Sequence, residues 1–410
     1  MSQFAALGNP AYRHYWLGSV ASVGGMQLLM LGQGWLVFEL THSPVTLGLL
    51  GAAVSIPNIL VSLFGGAIAD RLDKRAVLRT TALVNAALIL LLTWLDFSGH
   101  VQVWHVLAIA GVQSLVTGLD WPTRSALYPM LINREHMMSA VALNSIIWQG
   151  TRMVMPAIGG ALLAYSDTWV LFLLAAMGML CMAIVVHRLD VHAPGVRTGT
   201  ALGQTLEGMR FILNNRLFLM LMLLAYVTMF FGSSYIQLMP AFAKLLDAGS
   251  KGFGFLLSAA GLGSILGTFA AGYVQRDHRS GRMMLLCAGT FAPCIMLFAL
   301  VTQFAAHTPY AYGLAMGCVL AAALVSSTYN IVSMTLMQLQ VPDALRGRVM
   351  GIHGISFSFM SLGALFTGAV AAQIGTPMAT FVSAAIVLGV VVWMAGSQPV
   401  LREQGATASP

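Results

Sequence analysis

The sequence predicts an all-α, polytopic membrane protein with twelve transmembrane helices. Of the 410 residues, 58% are hydrophobic and 8% are charged, and the mean hydropathy is +0.82. Soluble domains carry about 25% charged residues, so the composition lies far outside that class. Twelve apolar segments are long enough, at about 20 residues each, to cross a hydrocarbon core of about 30 Å. Little chain remains for a soluble domain.

The twelve apolar segments set the predicted spans. Met1–Pro10 lacks the charged region and cleavage site of a signal peptide, so the first apolar run is expected to be retained as a span. The spans are predicted at residues 14–38, 46–69, 76–95, 101–121, 139–165, 169–188, 216–241, 253–275, 282–303, 310–339, 348–374 and 378–397.

The basic residues predict the orientation of these spans. Lys244 and Lys251 fall in odd-numbered junctions and Arg152 falls within a span. The other seventeen of the 20 Lys and Arg residues, Arg124 among them, are assigned to the N-terminus, the even-numbered junctions and the C-terminal tail. Cytoplasmic loops are enriched in Lys and Arg, so both termini are expected in the cytoplasm, with the chain in the cell (inner or plasma) membrane. The net charge of +7 then reflects topology and not nucleic-acid binding.

A long central connection predicts two halves. Pro194, Gly195 and Gly199 interrupt the chain there and precede an amphipathic stretch around 202–213. The expected organisation is a six-helix half at 1–190, a cytoplasmic linker at 191–215, a second six-helix half at 216–398 and a cytoplasmic tail at 399–410. An internal repeat supports it, since 130–141 before span 5 is echoed by 339–350 before span 11, at an offset of roughly 209 residues.

Several motifs resemble the major facilitator superfamily, along the whole chain. The junction of spans 2 and 3, Gly66-Ala-Ile-Ala-Asp70-Arg-Leu-Asp73-Lys74-Arg75, is similar to the family's motif A and departs from it at Asp73 and Lys74. Span 5 ends in Pro156-Ala-Ile-Gly159-Gly160, similar to the antiporter motif C, with Met155 where the motif has Gly. The runs 38–43, 121–124 and 341–349 resemble the efflux branch that contains the enterobactin exporter and macrolide efflux proteins. The resemblance implies two parallel six-helix repeats, the major facilitator fold.

Motif A is expected to form a conformational latch. The resemblance implies that Asp70 faces the start of span 11 near Val349 and that Lys74 pairs with Asp120, both when the cytoplasmic side is closed. The alternative is that the basic residues only hold the loop in the cytoplasm. The latch candidates are Gly66, Asp70, Arg71, Lys74, Arg75 and Asp120.

Arg152 is the most informative single residue of the spans. It lies about 13 residues, or about 20 Å, from each end of span 5, where a charge is costly and should face a cavity or a partner. Contact with substrate or a titrating group and a fixed structural pairing both remain open. The substrate or coupling candidates are Glu39, Gln113, Gln149, Arg152, Tyr329, Asn330 and His353.

The sequence also offers candidates for a proton-coupling group and for a hinge in span 5. No Asp or Glu lies at the centre of a predicted span, so Glu39 and Asp120 are the carboxylate candidates for proton coupling, and either could be structural. His353 could titrate near neutral pH or pack as a core residue. Pro156, Gly159 and Gly160 are expected to act as a hinge of span 5.

The sequence predicts a transporter and no enzyme. It has no phosphate-binding Gly-x-x-x-x-Gly-Lys-Ser/Thr loop, no metal-ligand spacing and no nucleophile with a base, so no cofactor or metal is expected. We predict a monomeric secondary exporter of amphipathic, drug-like small molecules by proton antiport. The alternatives are a dedicated exporter of an endogenous metabolite such as a siderophore, and a non-transporting membrane sensor or assembly partner.

Overall fold

The computed structural model describes residues 4–71, 73–189, 201–274 and 280–397, with side chains at all of these except 63–71, 121, 134, 201–202, 204–205, 274, 280 and 344. Every regular element in these ranges is helical, as predicted. The chain forms two compact units, one of residues 1–41 and 53–203 and the other of residues 42–52 and 204–410.

The first half of the chain contains six long helices. Their lengths of 21 to 32 residues suffice to cross a bilayer at 1.5 Å per residue. They are α1 (Pro10–Thr41), α2 (Pro44–Arg71), α3 (Lys74–Phe97), α4 (Val103–Leu127), α5 (Met137–Leu163) and α6 (Thr168–Arg188).

The close packing of α1 against α6 shows how the first unit is held together. A Cβ atom at Gly178 would lie 2.3 Å from the main-chain oxygen of Ala21, and one at Gly25 would lie 3.0 Å from the main chain of Ala175. Only glycine permits such backbone approach, which is the usual basis of helix association in lipid. This contact fixes α1, the helix that contributes one wall of the site described below.

The second half is less regular than predicted. Its helices are α7 (Ala201–Asn214), α8 (Arg216–Val227), α9 (Met239–Leu245), α10 (Gly249–Val274), α11 (Ser280–Phe304), α12 (Ala311–Gln340), α13 (Arg346–Gly354), α14 (Ser356–Ile374) and α15 (Thr376–Ser397). A π turn at Thr228–Gly232 and a 3-10 turn at Ser234–Leu238 separate α8 from α9 within predicted span 7. Ile355 separates α13 from α14 within predicted span 11.

Among the described helices, eleven segments are apolar and long enough to cross a membrane by length and composition. The one predicted span that is not among these eleven is span 5 at 139–165, which corresponds to the 27-residue helix α5. Its hydropathy is reduced by the polar residues Asn144, Gln149 and Arg152 in its middle. The helix is long enough to span and is polar where a transport pathway would require it.

The amphipathic stretch of the central connection forms α7, which packs on the second unit. Arg348 of α13 donates to Glu207 at 2.5 Å, and a Cβ at Gly208 would lie 3.0 Å from the Cβ of Arg348. Ile212 is buried in the core of that unit. Residues 191–200 of the predicted linker and the tail at 399–410 lie outside the described residues.

The structure corrects the predicted end of span 4. The helix α4 continues to Leu127 through Pro122, so Arg124 lies within a helix and is buried instead of being a loop residue. In α5 the predicted hinge residues Pro156, Gly159 and Gly160 lie in one continuous helix and are buried. Gly159 accommodates the side chains of Leu28 and Leu31 of α1, and its hinge role remains a prediction.

Candidate functional site

The polar residues of α4 form a stripe along one face of the helix. Gln113, Asp120 and Arg124 are separated by seven and four residues, which places them within about 40° of one another around an α-helix. Arg124 and Gln113 are buried. Buried polar groups on a helix of a membrane protein need partners from neighbouring helices, and these partners define the site.

Asp120 and Arg124 of this stripe form an ion pair. Nε of Arg124 donates to Oδ2 of Asp120 at 2.5 Å, and the two side chains are 10% and 18% exposed. Oδ1 of Asp120 accepts a hydrogen bond from Oγ1 of Thr81 on α3 at 3.4 Å. The carboxylate therefore connects α3 to α4 and fixes the orientation of the guanidinium.

Arg124 lies at the wall of a recess formed by α1, α4 and α5. The recess encloses about 10 Å³, which is room for about one water-sized group, and it is continuous with a wider open space. The lining residues are Tyr15, Ser19, Val23, Arg124, Ser125, Tyr128, Asn144, Ile147 and Trp148.

Part of the guanidinium of Arg124 remains unmatched. Among the described residues, its Nη1 atom is buried and has no hydrogen-bond partner. A guanidinium carries five N–H donors, and Nε satisfies one of them on Asp120. A buried donor without an acceptor costs roughly 1–3 kcal/mol, and more when charged. The recess is thus built around a cation that has spare donors.

Arg152 lies on α5 beyond the recess. Asn144, Trp148 and Arg152 follow one another at intervals of four residues, so they share one face of the helix. Asn144 and Trp148 line the recess, and Arg152 is exposed. Because a charge at the middle of a span avoids hydrocarbon, this face of α5 is the one expected to meet water or a solute.

Gln113 lies about two turns before Asp120 on α4 and connects this helix to α1. Nε2 of Gln33 donates to its Oε1 at 3.1 Å, and both residues are buried. Within the described residues, Nε2 of Gln113 is buried without an acceptor. Gln113 therefore has a packing role and an Nε2 amide group whose two N–H donors remain available.

Of the predicted latch, the structure describes the distal residues. Arg75 donates from Nε to the main-chain oxygen of Val186 at 3.0 Å and from Nη2 to that of His187, so it caps the C-terminal end of α6. The described partners of Asp120 are Arg124 and Thr81. The side chains of Gly66, Asp70 and Arg71 lie outside the described ones, and the pairing of Lys74 with Asp120 stays a prediction.

The candidates of the second unit are mostly core residues. Tyr329 is 2% exposed and belongs to the apolar core, and Nδ2 of Asn330 donates to the main-chain oxygen of Ser326 one turn earlier, at 2.9 Å. His353 is buried in α13, and its Nδ1 has no partner among the described residues. The residues that line the recess all belong to the first unit.

Two remaining candidates lie on exposed or half-buried positions of the first unit. Glu39 is exposed near the end of α1, and Gln149 is half-buried on α5 next to Trp148. Sequence reasoning missed Arg124, Tyr15, Asn144 and Trp148 as site residues. For Arg124 a signal existed, because the helical spacing from Asp120 predicts an i, i+4 ion pair.

A model of the family described as "Transmembrane secretion effector" matches residues 1–409 of this chain. The enterobactin exporter EntS of Shigella boydii serotype 18 is 26% identical over 385 residues, which covers 91% of this chain and 88% of the exporter. The staphyloferrin A transporter of Staphylococcus aureus is 24% identical over 345 residues, covering 82% of this chain and 83% of the transporter.

A solved structure supports the fold alone. The crystal structure of the nucleoside transporter NupG (D323A mutant) superposes with a TM-score of 0.76 at 12% identity, covering 95% of this chain and 99% of the transporter chain. At that identity the likeness concerns the arrangement of helices and not the substrate.

Proposed function

This chain belongs to the transmembrane secretion effector family of the major facilitator superfamily, and from that premise we propose that it exports an anionic, metal-chelating metabolite of the siderophore class. It is a multi-pass membrane transporter of the major facilitator type. The substrate class, the direction and the coupling are the proposed parts, and each can be tested separately.

The relatives support the substrate class. Two proteins similar to this chain over more than four fifths of its length are an enterobactin exporter and a staphyloferrin A transporter. Siderophores bind ferric iron, which is best held by hard oxygen donors, and such donors are commonly anionic. The transport pathway of this chain should then carry positive charge.

The observation that carries the proposal is the position of Arg152. It is an exposed cation in the middle of a span, on the helix face that also contributes Asn144 and Trp148 to the recess. A charge at this depth is expensive unless it faces a pathway or a partner, and exposure of Arg152 on the recess side of α5 favours the pathway. An arginine can hold a carboxylate or phenolate with two parallel hydrogen bonds, which suits an anionic chelator.

Export of varied amphipathic, drug-like compounds is the competing proposal. The 26 methionines and 20 phenylalanines offer adaptable apolar surface that would favour it. We further propose proton antiport with both termini in the cytoplasm, for which Glu39 and Asp120 are the carboxylate candidates. The protein is proposed to act as a monomer in the bilayer.

Inside-out vesicles distinguish the two substrates. We expect uptake of an anionic catechol chelator to fall at least about tenfold in Arg152→Gln, which corresponds to about 1.4 kcal/mol, and to be partly retained in Arg152→Lys. Arg210→Gln is the matched control, because Arg210 lies exposed on α7, outside the recess. Uptake of a neutral dye that equals or exceeds that of the chelator would favour the competing proposal instead.

The coupling is tested in the same vesicles. An imposed pH gradient, acidic inside, should drive accumulation of the chelator, and an uncoupler should abolish it. Accumulation that is insensitive to the uncoupler would remove the proton from the proposal and leave the substrate class standing.

A further inference from the structure

We propose that the recess around Arg124 is a binding subsite for one anionic oxygen group of the transported molecule, held by the unmatched Nη1 donors of Arg124. The inference rests on the proposed function for the identity of the molecule, and it assigns a role to a residue that the pathway at Arg152 does not require. Arg124 and Arg152 lie on different helices, α4 and α5.

First, Arg124 is a buried cation with an unsatisfied donor. The residue is 8% exposed, and Nη1 lacks an acceptor among the described residues. Hydrogen bonds to charged groups are stronger than those between neutral groups, so an acceptor that reached Nη1 would be favoured over an empty site. The structure holds this side chain in position regardless, through Asp120 and Thr81.

The second step concerns the charge of the acceptor. Asp120 already neutralises one unit of positive charge, and its Oδ1 is hydrogen bonded to Thr81. The side chains that line the recess besides Arg124 are neutral, with hydroxyl and amide groups at Tyr15, Ser19 and Asn144. An incoming oxygen anion would thus meet several donors and no lining carboxylate.

The third step concerns size and the remainder of the ligand. The enclosed part of the recess accommodates about one water-sized group, which suits an oxygen of a carboxylate or phenolate and excludes a ring. The aromatic lining residues are the buried Tyr15 and the half-buried Tyr128 and Trp148. A planar aryl group attached to the anionic oxygen would remain outside the enclosed part and could stack on one of the half-buried rings. An arylcarboxylate or a catecholate arm meets both requirements.

Binding to the purified protein in nanodiscs tests the proposal without transport. The probe is 3,4-dihydroxybenzoate, and its neutral analogue is 3,4-dihydroxybenzamide. A fragment of this size should bind the wild type with a Kd on the order of 1 mM, and the amide should bind at least about tenfold more weakly, because it lacks the charge that Arg124 recognises.

The test variant is Asp120→Asn/Arg124→Gln, which removes both charges together so that no unpaired buried carboxylate remains. We expect it to lose at least about tenfold in affinity for the benzoate and none for the amide. Arg124→Lys, which keeps the charge but lacks the spare planar donors, should also lose most of the preference. Arg210→Gln serves as the control that should retain it.

Any one of three results would overturn the inference. The first is that the wild type does not bind the benzoate below about 10 mM. The second is that the folded double variant keeps the wild-type preference for benzoate over amide, and the third is that a high-resolution structure with the probe shows only a water molecule on Nη1. If the probe binds through Arg124 but vesicles do not transport the chelator, the proposed function fails and the subsite stands. If the double variant transports the chelator as well as the wild type does, the subsite fails alone.

Discussion

Replacement of Gly178 by alanine should destabilise the protein through the contact of α1 with α6. The added methyl group would lie 2.3 Å from the main-chain oxygen of Ala21, whereas an unstrained C···O contact is about 3.3 Å. The two helices must therefore separate by about 1 Å along this line. The packing of the neighbouring turn resists that movement, because interiors are close-packed; there Gly25 lies so close to α6 that a Cβ atom on it would be 3.0 Å from the main chain of Ala175.

The expected cost is that of an overpacked core, about 1–3 kcal/mol. At roughly 2–4 °C per kcal/mol for chains of this class, the apparent Tm should fall by about 2–12 °C. The assay is a thermal melt of purified protein followed by size-exclusion chromatography. Gly150→Ala on α5 is the matched control, because nothing lies within 4 Å of its added methyl group and alanine favours a helix over glycine.

Equal melting temperatures for the two alanine variants would refute this reasoning. That result would mean that α1 and α6 adjust without strain, and that the close approach at Gly178 is not what positions α1 beside the recess. If Gly178→Ala instead lost transport but kept the wild-type Tm, the substitution would act on the conformational change between transport states and not on stability.

Four further predictions concern the junction of α2 and α3, the end of α6 and the helix α7. Asp70→Asn should shift the protein toward the state that is open to the cytoplasm and should raise the labelling of cysteines placed on that side; unchanged labelling and transport would discard the latch. Arg75→Gln should lower stability by about 1 kcal/mol in a thermal melt, since it removes the cap on the carbonyl groups of α6, and a full wild-type Tm would show that water replaces the cap. Glu207→Gln should cost no more than about 1 kcal/mol, because the side chain of Glu207 is 58% exposed in its ion pair with Arg348. Gly208→Val should expose α7 to limited proteolysis, and equal protease sensitivity of the Glu207→Gln and Gly208→Val variants would contradict the packing role of Gly208.

The helical framework was predictable because each element had to cross the same apolar layer. Apolar length and the position of Lys and Arg residues placed most boundaries within a few residues. The break between α8 and α9 was not predictable in this way. It lies at Thr228–Gly232, ahead of Pro240, and a Cβ at Gly363 of α14 would lie 1.8 Å from the main-chain oxygen of Phe230, so the turn depends on a contact with a distant part of the chain.

The candidate site was predictable only in part. Arg152 was recognisable because a charge in the middle of an apolar segment needs no structure to be noticed. For Arg124 the spacing from Asp120 indicated an ion pair, but its burial was not predictable, since hydropathy ends span 4 before it and a loop arginine is ordinary. Its burial depends on α1 and α5 closing over α4 around Tyr15 and Trp148, which is a property of tertiary packing that no local pattern contains.

The central claim is that this transporter moves an anionic chelator by using a positively charged pathway. It is tested most directly in proteoliposomes of the purified wild type, with uptake of an anionic catechol chelator and of its neutral, methylated analogue compared under one imposed pH gradient. We expect the anionic compound to accumulate at least about tenfold more than the neutral one, and Arg152→Gln to abolish the difference. Equal accumulation of both compounds, or a difference that survives Arg152→Gln, would contradict it.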